Sequence, residues 1–388
     1  MFYRIPSLGG LSPFVSLLSL ALLAHNIDAA SSGVINYGGD VPIGSKLVQV
    51  HVIYRHGDRN PKSPYPKSHY HDLKSWPGGW GELTDTGILQ QIKLGILLKA
   101  LYGPQNYGLL PEEFNVKIYK SVTTDVDRTI MSLIANQAGL WRSLKGKGIH
   151  EPDVQWNPTP FRVIADNKYD TIFGQNCSKA EKLVDMFRDE RFEQLKNENL
   201  QLFQYAQENS GYEIMTHPTQ ICWLYDTLTV ELLRKGIIPE WANALYPEPL
   251  ESFLMEYLKA GSLTEEMRRL TGGPLLKTII TAMKNLTMGK DTIKMYAYSA
   301  HETSIYDVLA ALCSPPKKPP GYTATLLFEL FQYQNSFFLR ILYRPGPDQT
   351  AFPMKIPGCG EQYICSLKKF EEITQHVLPK DLVAECTV

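Results

Sequence analysis

Leu47-Val48-Gln49-Val50-His51-Val52-Ile53-Tyr54 runs without a break into Arg55-His56-Gly57-Asp58-Arg59-Asn60-Pro61. The first eight residues are apolar and β-branched enough to predict a buried strand. His51, inside it, reads as a structural histidine. Where the strand ends, two arginines flank one histidine within five residues. A guanidinium is always charged and grips oxyanions through paired N–H groups. The tract therefore predicts an anion trap with a nucleophilic imidazole inside it. Gly57 predicts a sharp backbone turn and close approach to a ligand, and Pro61 fixes the exit.

Working outward, residues 62–81 are rich in Pro, Gly, Ser and aromatics and predict a long loop near the trap. Its His69-Tyr70-His71 brings no third ligand, so no metal site is expected there. Thr84 predicts a helix cap, with Ile88, Ile92 and Ile96 at i+4 spacing, Leu89 and Leu97 widening the stripe, and Gly103 as the stop. A strand at 116–119 leads into Thr123-Thr124-Asp125-Val126-Asp127-Arg128-Thr129. Asp or Thr is expected to cap the helix that follows, with Arg128 in its first turn, where free N–H groups favour anions. On composition alone, Arg128 reads instead as an i,i+3 partner of Asp125. A third strand, 292–300, ends in His301-Glu302-Thr303-Ser304 and opens another helix. Two last strands, 325–333 and 336–344, predict an antiparallel hairpin around Gln334 and Asn335. In an open α/β sheet the carboxyl ends of strands converge on one crevice. Arg55, His56, Arg59, Arg128, His301 and Glu302 are thereby predicted to share one pocket.

The chain has 388 residues, with 39 Lys+Arg against 40 Asp+Glu. That balance argues against a nucleic-acid binder or an anionic-membrane binder, which needs a basic surface. Residues 1–30 read as a secretory signal peptide: Arg4 precedes an apolar run at 11–24, and small residues follow at 29–32. No later segment is expected to span or anchor in a membrane. The six cysteines, 177, 222, 313, 359, 365 and 386, fit an oxidising compartment and can pair in 15 ways. Only Cys359–Cys365 is plausible from local spacing. Asn176 and Asn285 head N-glycosylation sequons. Between about 161 and 284 strand-like runs give way to helical spacing. The expected organisation is an α/β catalytic domain of 46–160 and 285–388, with a helical insertion domain of 161–284.

Arg-His-Gly-x-Arg-x-Pro, complete at Arg55, His56, Gly57, Arg59 and Pro61, resembles the motif of the histidine acid phosphatases, the prostatic and lysosomal type within the histidine phosphatase superfamily. The likeness runs from about Leu47 to Cys386. It implies an α/β fold: a central mixed, mostly parallel sheet flanked by helices, with a phosphoglycerate-mutase-like core and the helical insertion. It implies an acid phosphatase hydrolysing small phosphate monoesters, with phosphoprotein as a further substrate class, and no cofactor. His56 would be the nucleophile that forms a phosphohistidine. Arg55, Arg59, Arg128 and His301 would bind phosphate, and Glu302 would donate the proton to the leaving group. An aspartate usually follows the second histidine in this branch, so Glu302 is a departure that moves the carboxylate outward. Asp58 is the competing acid, read as structural. The resemblance also implies disulfides Cys177–Cys386, Cys222–Cys313 and Cys359–Cys365, a secreted or lysosomal location, and a homodimer as in close relatives. The alternatives are a phytase-like inositol-polyphosphate phosphatase and an inactive secreted binding protein on the same fold.

Overall fold

A computed structural model describes residues 41–142, 158–164, 172–174 and 176–387. The expected signal peptide, 1–30, lies outside the described residues. One sheet contains β1 (Lys46–Arg55), β2 (Tyr119–Thr124), β3 (Arg162–Ile164), β4 (Met295–Ala300), β5 (Thr325–Tyr333), β6 (Ser336–Arg344), β7 (Phe352–Pro353) and β8 (Ile364–Ser366). Its order is β3-β2-β4-β1-β5-β6-β7, with β8 also on β6. The sheet is mixed, as expected, but its parallel share is smaller than expected. β3, β2, β4 and β1 pair in parallel, and every pairing from β1–β5 onward is antiparallel. The reason is the chain's last third. β5 and β6 are joined by the Gln334-Asn335 turn, with Gln334 at φ +52°, and so short a connection allows only a hairpin.

β1 is central, and nine of its ten residues are buried, Val50, Val52, Ile53 and Tyr54 fully. Helices cover both faces. The main helices are α1 (Asp85–Tyr102), α2 (Asp127–Leu140), α3 (Ser178–Glu198), α4 (Leu200–Ser210), α5 (Gln220–Lys235), α6 (Leu250–Lys259), α7 (Glu265–Thr271), α8 (Gly273–Thr287), α9 (Glu302–Ala311), α10 (Leu367–Thr374) and α11 (Leu382–Cys386). Tyr298 and Ala300 of β4 pack into a core with Leu276, Ile279 and Met283 of α8 and Ile305 and Leu309 of α9. The alternate residue Ser299 donates to the Thr129 carbonyl of α2 at 2.8 Å, on the opposite face.

α1 and α2 pack backbone to backbone. A Cβ added at Gly95 would lie 2.1 Å from the Asn136 carbonyl oxygen, and one at Gly139 would lie 2.1 Å from that of Ile92. This contact explains a correction. The stripe expected at 88, 92 and 96 is not the buried face of α1; Gly87, Gln91, Leu94, Gly95, Leu98, Leu101 and Tyr102 are, and Leu89 is exposed. Small residues, not β-branched ones, mark the closest helix contact here. The second strand also begins later than expected, at Tyr119, and Val116 is exposed.

The helical layer has its own core, in which Phe192, Phe203, Ile221, Leu224, Leu228 and Phe253 pack with Tyr65 of the loop after β1. Two elements inside the expected 161–284 insertion belong elsewhere. β3 extends the sheet beside β2, and α8 packs in the main core. Cys177–Cys386 joins the start of α3 to α11, and Cys359–Cys365 closes a short loop. The expected Cys222–Cys313 bridge is absent, and both are free thiols. Cys222 is buried in the helical core, whereas Cys313 is exposed past the end of α9, so the two occupy different environments.

Candidate active site

Register explains why the motifs meet. In the parallel β1–β4 pair Arg55 lies opposite Ala300, and in β2–β4 Thr123 lies opposite Ser299. The next residue along each strand is then His56, His301 and Thr124 respectively. The His56 and His301 ring centroids are 5.7 Å apart, edge to face.

The turn after β1 is pinned from several sides. The His56 N–H donates to the Ala300 carbonyl, and the Gly57 N–H donates to Ser132 Oγ of α2. Gly57 is required for closeness, not for a left-handed turn: its φ is ordinary, and a Cβ would stand 2.3 Å from the Gly87 carbonyl oxygen of α1. Gly87 in turn leaves room for the Asp58 carbonyl. Asp58 is buried. Its carboxylate accepts from the Thr84 hydroxyl at 2.5 Å and pairs with Arg234 of α5 at 3.4 Å. Burial raises its pKa above the ordinary carboxylate value despite those partners.

His56 is buried, and its Nδ1 lies 2.8 Å from the Gly57 carbonyl oxygen. A carbonyl only accepts, so Nδ1 carries the proton and Nε2 keeps its lone pair. Burial, then the charges of Arg55 and Arg59, hold its pKa well below the usual histidine value. Both influences favour the neutral imidazole.

Arg55 donates through Nη1 to the Pro320 carbonyl at 2.7 Å, pairs through Nη2 with Glu302 Oε2 at 2.5 Å, and lies over the Tyr322 ring. Arg59, 1% exposed, grips Asp226 of α5 with both terminal nitrogens, at 3.1 and 2.7 Å. Arg128, in the first turn of α2, reaches His301 Nδ1 at 3.5 Å. It is not ion-paired with Asp125 among the described residues. Burial and the charges of Arg59 and Arg55 lower the Arg128 pKa to about 10. Val126, not Asp or Thr, is the N-cap residue, with no side-chain bond. The Thr129 hydroxyl instead donates back to the Val126 carbonyl. The Nε of Arg55, of Arg59 and of Arg128 is buried with no hydrogen-bond partner among the described residues. A buried, orphaned guanidinium N–H costs free energy until an acceptor arrives.

His301 sits between Arg128 and Thr124, whose Oγ1 is 3.0 Å from its Nε2. Thr129 spends its proton on a backbone carbonyl, so Thr124 donates to Thr129 and accepts from His301 Nε2–H. His301 Nδ1 is then the acceptor for Arg128. In this arrangement His301 orients Arg128, and donation to an oxyanion asks for the other tautomer. Burial, then Arg128, lowers its pKa to about 3.

All six residues expected in the pocket are brought together. The sequence reading missed Thr124, Tyr322, Gly87 and above all Asp226. The only local signal for Asp226 is a carboxylate between Ile221, Leu224 and Leu228, which are fully buried. The site opens into a cavity of about 710 Å³ whose walls include Trp223, Tyr225, Tyr257 and Leu254 from the helical layer, with Lys62 near the motif. A neutral imidazole with a free Nε2, ringed by three arginines with unspent donors, suits attack on a tetrahedral oxyanion.

A family model described as histidine phosphatase superfamily (branch 2) matches residues 46–344. The chain is 31% identical to lysosomal acid phosphatase of Rattus norvegicus, over 89% of this chain and 81% of that one. It is 30% identical to prostatic acid phosphatase of Rattus norvegicus, over 88% and 89%. Among solved structures, Hafnia alvei phytase in complex with myo-inositol hexakis sulphate has a TM-score of 0.62 at 17% identity, covering 90% of this chain and all of that one. That likeness concerns the fold alone.

Proposed function

Because the chain belongs to branch 2 of the histidine phosphatase superfamily, we propose that it is an acid phosphatase hydrolysing phosphate monoesters through a phosphohistidine on His56. The observation that carries this reading is the trio of buried, unpartnered Nε–H groups on the arginines whose charges bear on a neutral His56. A phosphate group supplies the acceptors those donors lack.

In the first step the Nε2 lone pair of His56 attacks phosphorus. The N–P bond forms as the bond to the ester oxygen breaks. That oxygen takes the proton of the Glu302 carboxylic acid and leaves as an alcohol. Arg55, Arg59 and Arg128 hold the non-bridging oxygens, and the Nδ1–H bond to Gly57 supports the positive charge the ring acquires. In the second step Glu302 takes a proton from water, whose oxygen attacks phosphorus as the N–P bond breaks. Phosphate departs, and the imidazole and the acid are restored.

The cavity favours a single phosphate on an apolar leaving group over a polyphosphate. Part of its wall is aromatic and aliphatic, and its charged residues are balanced, with Asp58, Asp226, Glu302 and Asp348 beside Arg55, Lys62 and Arg234. Arg55 and Arg234 are already paired with Glu302 and Asp58. A secreted or lysosomal setting is supported by the sequence of 1–30, by the sequons at Asn176 and Asn285 and by two disulfides. Among the described residues no helix is long and apolar enough to cross a membrane.

The test is an aryl phosphate assay from pH 4 to 8 with His56→Ala alongside, and an alkaline quench after mixing with a phosphorus-labelled substrate. Wild type is expected to be active in acid and to trap label, and His56→Ala to do neither. Activity in His56→Ala would remove the nucleophile assignment.

A further inference from the structure

We propose that Asp226 is a positioning residue for phosphate binding: it grips the end of the Arg59 guanidinium so that the Nε edge is left to face the ligand. The inference rests on reading this pocket as the phosphate site.

A guanidinium has two usable edges. One runs across the two terminal nitrogens and the other across Nε and Nη2. Asp226 takes the first edge with both oxygens, Oδ2 to Nη1 at 3.1 Å and Oδ1 to Nη2 at 2.7 Å. Nη1 also donates to the Asn60 carbonyl at 3.1 Å. What remains is the second edge, and its Nε is buried without a partner. Arg59 itself is almost wholly inaccessible, so its orientation in the free protein is set by these contacts and not by water. Burial works against charge on both partners. The Asp226 carboxylate nevertheless holds Arg59 above its ordinary value, and Arg59 holds Asp226 below its own.

The clamp has a firm mounting. α5 is fixed by Ile221, Leu224 and Leu228 in the core of the helical layer. It meets the motif region at two further points: Thr227 donates to the Ser63 carbonyl at 2.9 Å, and Arg234 pairs with Asp58. A residue 167 positions beyond Arg59 thus sets which edge of that arginine is offered to the ligand.

The probe is inorganic phosphate as a competitive inhibitor, measured with thermal melting for Asp226→Asn, Asp226→Glu, Arg59→Ala and the double variant Arg59→Ala/Asp226→Asn. Asp226→Asn is expected to weaken phosphate inhibition by about tenfold or more, the scale of a hydrogen bond to a charged group, and to raise KM for an aryl phosphate in step. The effect should vanish in the Arg59→Ala background. Asp226→Glu keeps the carboxylate and should recover most of the inhibition, which also covers the case in which Asp226→Asn does not fold. Tighter inhibition in Asp226→Asn would make Asp226 a competing charge and overturn the proposal. Unchanged inhibition with lower melting would leave only a structural brace, and also overturns it. If Arg59→Ala itself leaves phosphate inhibition unchanged, Arg59 is no phosphate ligand, and the reading of the pocket falls with the proposal.

Discussion

If Glu302 is the leaving-group acid proposed above, Glu302→Gln separates that role from everything else the side chain does. Glu302 opens α9, directly after His301, and its Oε2 meets Arg55 Nη2 at 2.5 Å with both side chains mostly shielded. Glutamine has the same shape, so it keeps an oxygen acceptor for Arg55 and leaves the start of α9 undisturbed. What it loses is the transferable proton and one negative charge. A phenol gives up its proton at about 10, and nitro groups lower that further, so a nitrophenolate leaves almost unaided. An aliphatic alcohol is nearly as weak an acid as water, at about 16, and needs the proton. General acid catalysis is worth roughly 10²–10⁴-fold. The variant is therefore expected to lose about that factor in kcat on an alkyl phosphate and less than about tenfold on a nitrophenyl phosphate. KM for the aryl substrate should hold or fall, because an anion beside Arg55 has gone. The assay is steady-state kinetics on both substrates at acid pH, with an alkaline quench to measure phosphoenzyme. Equal losses on both substrates would refute the reasoning, and Asp58 would then become the acid to test.

Three further outcomes are expected. Gly57→Ala must push a Cβ against the Gly87 carbonyl at 2.3 Å, so it should cost several kcal/mol and most of the activity; urea unfolding that matches wild type would contradict the close-approach account. Thr124→Val strips His301 Nε2 of its acceptor, and kcat on an aryl phosphate should fall about tenfold; an unchanged kcat would remove Thr124 from the site. His51 is buried between Gln49 and Tyr298, with its pKa lowered to about 3. The unfolded chain accepts a proton near 6.5 that the folded chain refuses, so this group costs stability as pH falls from about 6.5 towards 3. The stability gap between wild type and His51→Gln should shift in the variant's favour by up to about 2 kcal/mol between pH 7 and 4.5. Urea midpoints at the two pH values read this out, and a constant gap would count against it.

The parts legible in sequence were those governed by short-range rules. β1 reads as a strand because of its Leu, Val and Ile content, and the β5–β6 hairpin is bounded correctly because only two residues separate two strand runs. The meeting of Arg55, Arg128 and His301 followed from strand order, since each motif ends a parallel strand. What stayed hidden depended on contacts across the chain. The true face of α1 is drawn by Gly87 and Gly95, which carry no hydrophobic signal at all. Asp226 looks like any helical aspartate until α5 is laid over Arg59. Residues 162–164 are too few to read as a strand and are one only because β2 offers an edge. The Cys222–Cys313 pairing came from resemblance, and here burial separates the two thiols.

The central place of β1 has a consequence for how the protein is made. Val50 pairs with Met295 on one side and Glu329 on the other. Its neighbours in the sheet are thus synthesised about 245 and 279 residues later. At roughly 5–20 residues per second, that strand waits on the order of 10–60 s with both edges open. A buried strand that leads straight into His56 is then the segment most in need of a chaperone's shelter, and a ribosome that stalls before β4 leaves it stranded. Cys177 meets the same delay, because its partner Cys386 lies 209 residues further on. Oxidation of that pair must therefore wait until α11 has been made.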